Sequence, residues 1–139
     1  MDKKHSCCIF AVLLIAVLGM PYALFAQSSA METWKGIQVL QFSKNDFIGV
    51  PGEVTISLTK KGGIWRGNIR ARGIFYGETL QNINYQAKKF TASFNFRFAR
   101  ETFPAKLLLF RDDIWMYGII KLGTKIGHTD YLKLYIKKE

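Results

Sequence analysis

The chain has 139 residues, a formal net charge of +10, 49% hydrophobic and 14% aromatic residues, and two cysteines. That length holds one domain and excludes a multidomain enzyme. The composition is too apolar and too aromatic for a disordered chain.

Asp2-Lys3-Lys4-His5 forms a short basic start, and an apolar run from Cys7 to Ala26 follows, broken only by Gly19 and Pro21. Gln27-Ser28-Ser29-Ala30 is then polar and small. A positive end, a greasy middle and small residues before the cut are the order of a secretory signal peptide. Ser28 and Ala30 favour cleavage after Ala30; cleavage after Ala26 is the alternative, with Leu24 where a small residue is usual. An uncleaved anchor is the rival reading, because about 20 apolar residues can span a bilayer. Gly19, Pro21 and the small residues beyond favour cleavage. A lipoprotein would carry its acylated cysteine after the apolar run, whereas Cys7 and Cys8 stand at its start. Residues 31–139 are therefore expected to be one cysteine-free domain, periplasmic or secreted, held by its core rather than by disulfides.

After the signal, the chain reads as short strands. Trp34 to Phe42 is the first, and residues 44–52 (Lys-Asn-Asp-Phe-Ile-Gly-Val-Pro-Gly) read as loop. Glu53 to Lys60 alternates Val54, Ile56 and Leu58 with polar residues, and Lys61-Gly62-Gly63 turns the chain into Ile64 to Arg70. Thr79 to Tyr85 follows. The strongest stretch is Phe90 to Phe98, where Phe90, Ala92, Phe94, Phe96 and Phe98 share one face and Thr91, Ser93, Asn95 and Arg97 the other. Ala105 to Phe110, a turn at Arg111-Asp112-Asp113, Ile114 to Leu122, a longer loop from Gly123 to Asp130, and Tyr131 to Lys137 complete the chain. About eight strands at regular spacing, with no helical stripe, predict an all-β, antiparallel up-and-down β-barrel.

The chain resembles the small calycin-like β-barrel domains, lipocalin- or avidin-shaped, of secreted bacterial proteins of unknown function. The resemblance rests on Trp34-x-Gly36 in the first strand, the glycine turn before Trp65-x-Gly67, the link from Gly73 to Gly77, Gly118 in the penultimate strand, and Leu132-x-Leu134 in the last. Ile74-Phe75-Tyr76 is more aromatic than such domains usually are. The resemblance implies a fold and a non-catalytic role, and it carries over no catalytic residues.

The residues available for chemistry agree with that. His128 is the one histidine after the signal, and no motif offers it a nucleophile. Ser43, Ser57 and Ser93 are in no G-x-S-x-G turn. Asp112-Asp113 is turn chemistry rather than a metal-ligand spacing, and Glu53, Glu78 and Glu101 fall at strand or loop edges. No enzyme, metal or cofactor is predicted.

Two binding readings remain. In the first, a small apolar or amphipathic ligand occupies the barrel mouth or interior, touching Trp65, Phe94, Phe96 and Tyr117, with Phe75, Tyr76 and Trp115 nearby. In the second, the barrel is filled and ligand-free, and a basic patch at Arg66, Arg70 and Arg72 contacts anionic lipid or glycan of the envelope. Export argues against nucleic acid, and a monomer is expected. Whether the interior is filled or hollow stays open, because an eight-stranded barrel allows both. An outer-membrane barrel would need strands of about 9–11 residues, longer than most of those read here, and the terminal Lys137-Lys138-Glu139 lacks an aromatic residue.

Overall fold

The computed structural model describes residues 29–41 and 49–139. The expected signal peptide therefore lies outside the described residues, apart from its last two positions. Nine strands follow one another: β1 (Ala30–Gln41), β2 (Gly49–Lys61), β3 (Ile64–Ala71), β4 (Phe75–Thr79), β5 (Gln81–Tyr85), β6 (Lys89–Phe98), β7 (Glu101–Asp112), β8 (Trp115–Ile126) and β9 (Thr129–Lys138). They form one antiparallel sheet in the order β4-β3-β2-β1-β9-β8-β7-β6-β5. Every neighbour in that order is also a neighbour in sequence, except β1 and β9, which bring the two ends of the sheet-forming chain together.

The all-β antiparallel expectation holds, with nine strands instead of about eight. Closure into a barrel does not: β4 and β5 stand at opposite ends of the strand order and share no ladder. Each has only five residues, and the registers slip between Ile69 and Arg70 and between Gln81 and Asn84. Gly77 at φ 111 and Asn82 at φ 51 take the chain out of extended geometry on either side of the joint. Side chains bridge the seam instead. Phe75 of β4 meets Phe94 and Phe96 of β6 edge to face at 4.9 and 5.4 Å, and Trp65 of β3 lies 4.9 Å from Tyr85 of β5. The Leu80 amide, between the two short strands, donates to the Gly67 carbonyl at 2.9 Å.

Four other expectations change. The single strand read from Thr79 to Tyr85 is two, separated by buried Leu80. Residues 49–52 of the expected loop pair with β1, Gln38 opposite Gly52, while 44–48 lie outside the described residues. The loop expected at Gly123 to Asp130 is mostly strand: β8 runs to Ile126, a tight turn with Gly127 at φ 63 follows, and β9 starts at Thr129. The turn placed at Arg111 to Asp113 begins later, since β7 continues to Asp112 and only Asp113 is left-handed. Pro104 lies inside β7. It sits opposite Asn95 of β6, at a point where the ladder to β8 has already ended at Ala105.

The alternation inside each strand builds the core. Trp34, Ile56, Ile69, Phe94, Leu107, Ile120, Leu134 and their neighbours on the same face are buried in a single apolar cluster. Phe98, expected on that face, is 39% exposed because it ends β6 beside the Ala99-Arg100 turn. Inward-facing Gly36 and Gly118 let strands approach closely: a Cβ at Gly118 would meet the Leu108 carbonyl oxygen, and one at Gly36 the Tyr135 carbonyl oxygen. Strand length no longer separates this sheet from a membrane barrel, since β1, β7 and β8 have 12 residues and β2 has 13. The enclosed face is mostly apolar, unlike the polar interior usual in membrane barrels, with Gln38 and Thr129 as buried polar side chains among the described residues.

Candidate functional site

The four residues expected to line a ligand pocket do not come together. Phe94 and Phe96 are interior core residues, at most 1% exposed, with their rings locked against Phe75. Trp65 faces inward at one end of the sheet and is partly buried. Tyr117 points the other way: it is 48% exposed on the outer face of β8. Its parity decides this, because Met116 and Ile120 face the core.

The arginine patch is brought together in part. Arg70 and Arg72, with Tyr76 and Glu53, line a groove of about 380 Å³ beside β4. Arg66 is on the same face of β3 as Arg70, but four residues away, or about 13 Å along the strand.

A polar cluster at one end of the enclosed face was not legible beforehand. The Glu32 carboxylate accepts hydrogen bonds from Lys138 Nζ at 2.7 Å, Tyr85 Oη at 2.8 Å and Trp34 Nε1 at 3.3 Å. Arg111 Nη1 donates to Tyr85 Oη at 3.0 Å, and its guanidinium lies 5.5 Å from the centre of the Trp34 ring. Strands β1, β5, β7 and β9 are tied at one point. Burial works to raise the Glu32 carboxyl, but the three hydrogen bonds and the Lys138 charge hold it below its ordinary value. Burial and the hydrogen bond to Glu32 push the Tyr85 phenol well above its ordinary value, so Tyr85 stays a donor. Each basic or acidic member looked like an ordinary strand-end charge in sequence. The available signal was parity: Glu32, Arg111 and Lys138 each lie two residues beyond a core residue, Trp34, Leu109 and Ile136.

The outer face of the other strands carries a second feature. Opposite one another across four strands stand Ile37 of β1, Tyr135 of β9, Tyr117 of β8 and Phe110 of β7. All four point outward and are 45–50% exposed, with the Phe110 and Tyr117 rings 6.3 Å apart. At neighbouring strand spacings the row is about 14 Å long. On one side lies Trp115, 51% exposed, with Lys137 Nζ 5.7 Å from its ring. On the other, Ile119 and Leu108 pair across β8 and β7 and form part of the floor of a groove of about 580 Å³. Lys89, Lys106 and Lys121 also line that groove, with Thr91 and Ser93. Lys133, opposite Ile119, extends the positive rim onto β9, while Lys35 of β1 is ion-paired with Glu139.

No family model, curated protein or solved structure matches the chain. The structure shows the coarser part of the calycin-like expectation, an antiparallel all-β sheet of nine strands compatible with a barrel-like fold, and no relative supports the family. Among the described residues, no group of three or more His, Cys, Asp or Glu side chains is placed to hold a metal ion.

Proposed function

We propose that this is an exported, non-enzymatic β-barrel-like domain that binds an anionic, amphipathic partner on its outer face rather than a molecule carried inside. The observation that supports this best is the lysine-rimmed apolar surface of β1, β9, β8 and β7. Apolar ground flanked by cations suits a ligand with a greasy part and a negative head. The enclosed face favours the same reading, because its rings already satisfy one another edge to face. On this reading Tyr117 is a contact residue, Phe94 and Phe96 are structural, and Arg70 and Arg72 form a lesser basic groove.

Titration with dodecyl phosphate tests it. Tryptophan emission should change through exposed Trp115, the affinity should fall as salt rises, and Lys106→Glu with Lys121→Glu should remove the response. Affinity insensitive to salt and to that pair would overturn the reading. So would protein purified from its host with a lipid that only unfolding releases, since that would place the ligand inside.

A further inference from the structure

We infer that the partner of this outer face is an anionic lipid bilayer, on which the domain lies with β1, β9, β8 and β7 against the surface. The inference rests on the function proposed above and assigns its partner.

Three features of the face point to a bilayer rather than a soluble molecule. The first is shape. The row of Ile37, Tyr135, Tyr117 and Phe110 sits on the outside of a sheet, so it can touch a partner from one side only. Small-molecule sites usually enclose most of their ligand; a membrane surface is one-sided by nature. The second is the arrangement of residue types. Ile37, Ile119 and Leu108 offer a sugar hydroxyl nothing to pair with, but they gain free energy at the acyl boundary of a membrane. Tyr117, Tyr135 and Trp115 combine a ring with a polar tip, the chemistry that settles at the headgroup level.

The third is charge. Lys89, Lys106, Lys121, Lys133 and Lys137 are exposed around these apolar residues, and none of them has an ion-pair partner among the described residues. Lys35 pairs with Glu139 at 2.7 Å, Asp112 stands opposite Trp115, and Glu53 of β2 stands opposite Ile37, so these acids lie at the Trp115 end and the β2 edge of the face, away from the lysines of the groove. Lysine stems can run along apolar surface while their ammonium groups reach lipid phosphates. The groove floored by Leu108 and Ile119 and lined by three of these lysines offers one headgroup a place between them. The outward residues of β2 and β3 contrast with this: Thr55, Ser57, Thr59, Arg66, Asn68 and Arg70 are polar, and the large apolar side chain among them, Ile64, stands at the very start of β3.

Sedimentation with vesicles decides the matter. The protein should pellet with vesicles of equal parts phosphatidylglycerol and phosphatidylcholine and stay in solution with phosphatidylcholine alone. Rising salt should weaken the binding. Lys106→Glu with Lys121→Glu should weaken it roughly 30-fold or more, from the contribution of each lysine near an anionic surface. Tyr117→Ser with Tyr135→Ser should weaken it roughly ten-fold even at low salt. In the unaltered protein, lipids brominated on the acyl chain should quench Trp115 emission, a readout that requires no variant to fold. Binding of dodecyl phosphate without binding of vesicles would overturn the bilayer and leave the anionic surface function standing. Failure with both probes would overturn both. Vesicle binding that survives the two outer-face pairs, or that Arg70→Glu with Arg72→Glu abolishes instead, would also overturn this face as the docking surface.

Discussion

Two aromatic clusters of the same size sit on opposite faces of this sheet. Phe75, Phe94 and Phe96 are fully enclosed, with centroids 4.9 and 5.4 Å apart across the seam between β4 and β6. Phe110, Tyr117 and Tyr135 stand side by side on β7, β8 and β9 and leave nearly half of each side chain in solvent. The first cluster links strands that share no ladder, so it completes the fold. The second links strands already paired throughout, so the fold gains little from it. A row of rings that the architecture does not require is a better candidate for binding than one that holds the sheet together.

The largest expected effect tests the interior half of that contrast. Phe94→Ala should cost roughly 3–5 kcal/mol of stability in chemical denaturation, because it removes a ring that touches Phe75 across the open seam. A cost below about 1 kcal/mol would mean that the seam is held by something else.

That interior half was largely legible in the sequence. The alternation of Phe90, Ala92, Phe94 and Phe96 with Thr91, Ser93, Asn95 and Arg97 needs only the two-residue period of a strand, and all four inward residues are buried. The glycine pair at 62–63 predicted the β2–β3 turn, and both residues are left-handed. What failed was local punctuation read without tertiary context. Gly123 to Asp130 reads as a loop, yet β8 runs through Gly123, where the ladder to β7 ends, and Gly127 only turns a hairpin. The outer row was illegible for a different reason. Phe110 and Tyr117 face each other across one hairpin, but Ile37 and Tyr135 lie far from them in sequence and join the row only through the registers of the β8–β9 and β1–β9 ladders. Tyr117 and Phe94 are both aromatic strand residues, and only the parity of Tyr117 against buried Met116 separates them.

Between the two clusters in magnitude comes the polar closure at Glu32. Glu32→Gln removes the charge that Lys138 pairs with in a site only 15% exposed on the carboxylate side, and should cost about 2 kcal/mol. The pH dependence follows in sign. The Glu32 carboxyl is held below its ordinary 4.5, so it adds stability above that pH, and the contribution is lost as pH falls through the lower folded value. Thermal melting of the unaltered protein should therefore weaken on acidification below about pH 4.5, and Glu32→Gln should flatten that limb. An acid limb unchanged by Glu32→Gln would show that another carboxylate controls it.

The smallest effect on stability is the one that completes the comparison. Tyr117→Thr keeps a residue that suits a strand and leaves the inward neighbours Met116 and Ile120 untouched, so stability should shift by no more than about 0.5 kcal/mol. The ring it deletes has Phe110 on one side and Tyr135 on the other, both already half in water, so little buried contact is lost. The same substitution takes away the centre of the exposed row and should weaken binding of the anionic amphiphile several-fold. Interior and exterior rings would then separate cleanly: Phe94→Ala lowers stability, and Tyr117→Thr lowers binding at constant stability. If Tyr117→Thr instead destabilised the domain by 2 kcal/mol or more, at the scale of a lost core contact, the outer row would belong to the fold, and the reason for assigning it to a partner would be gone.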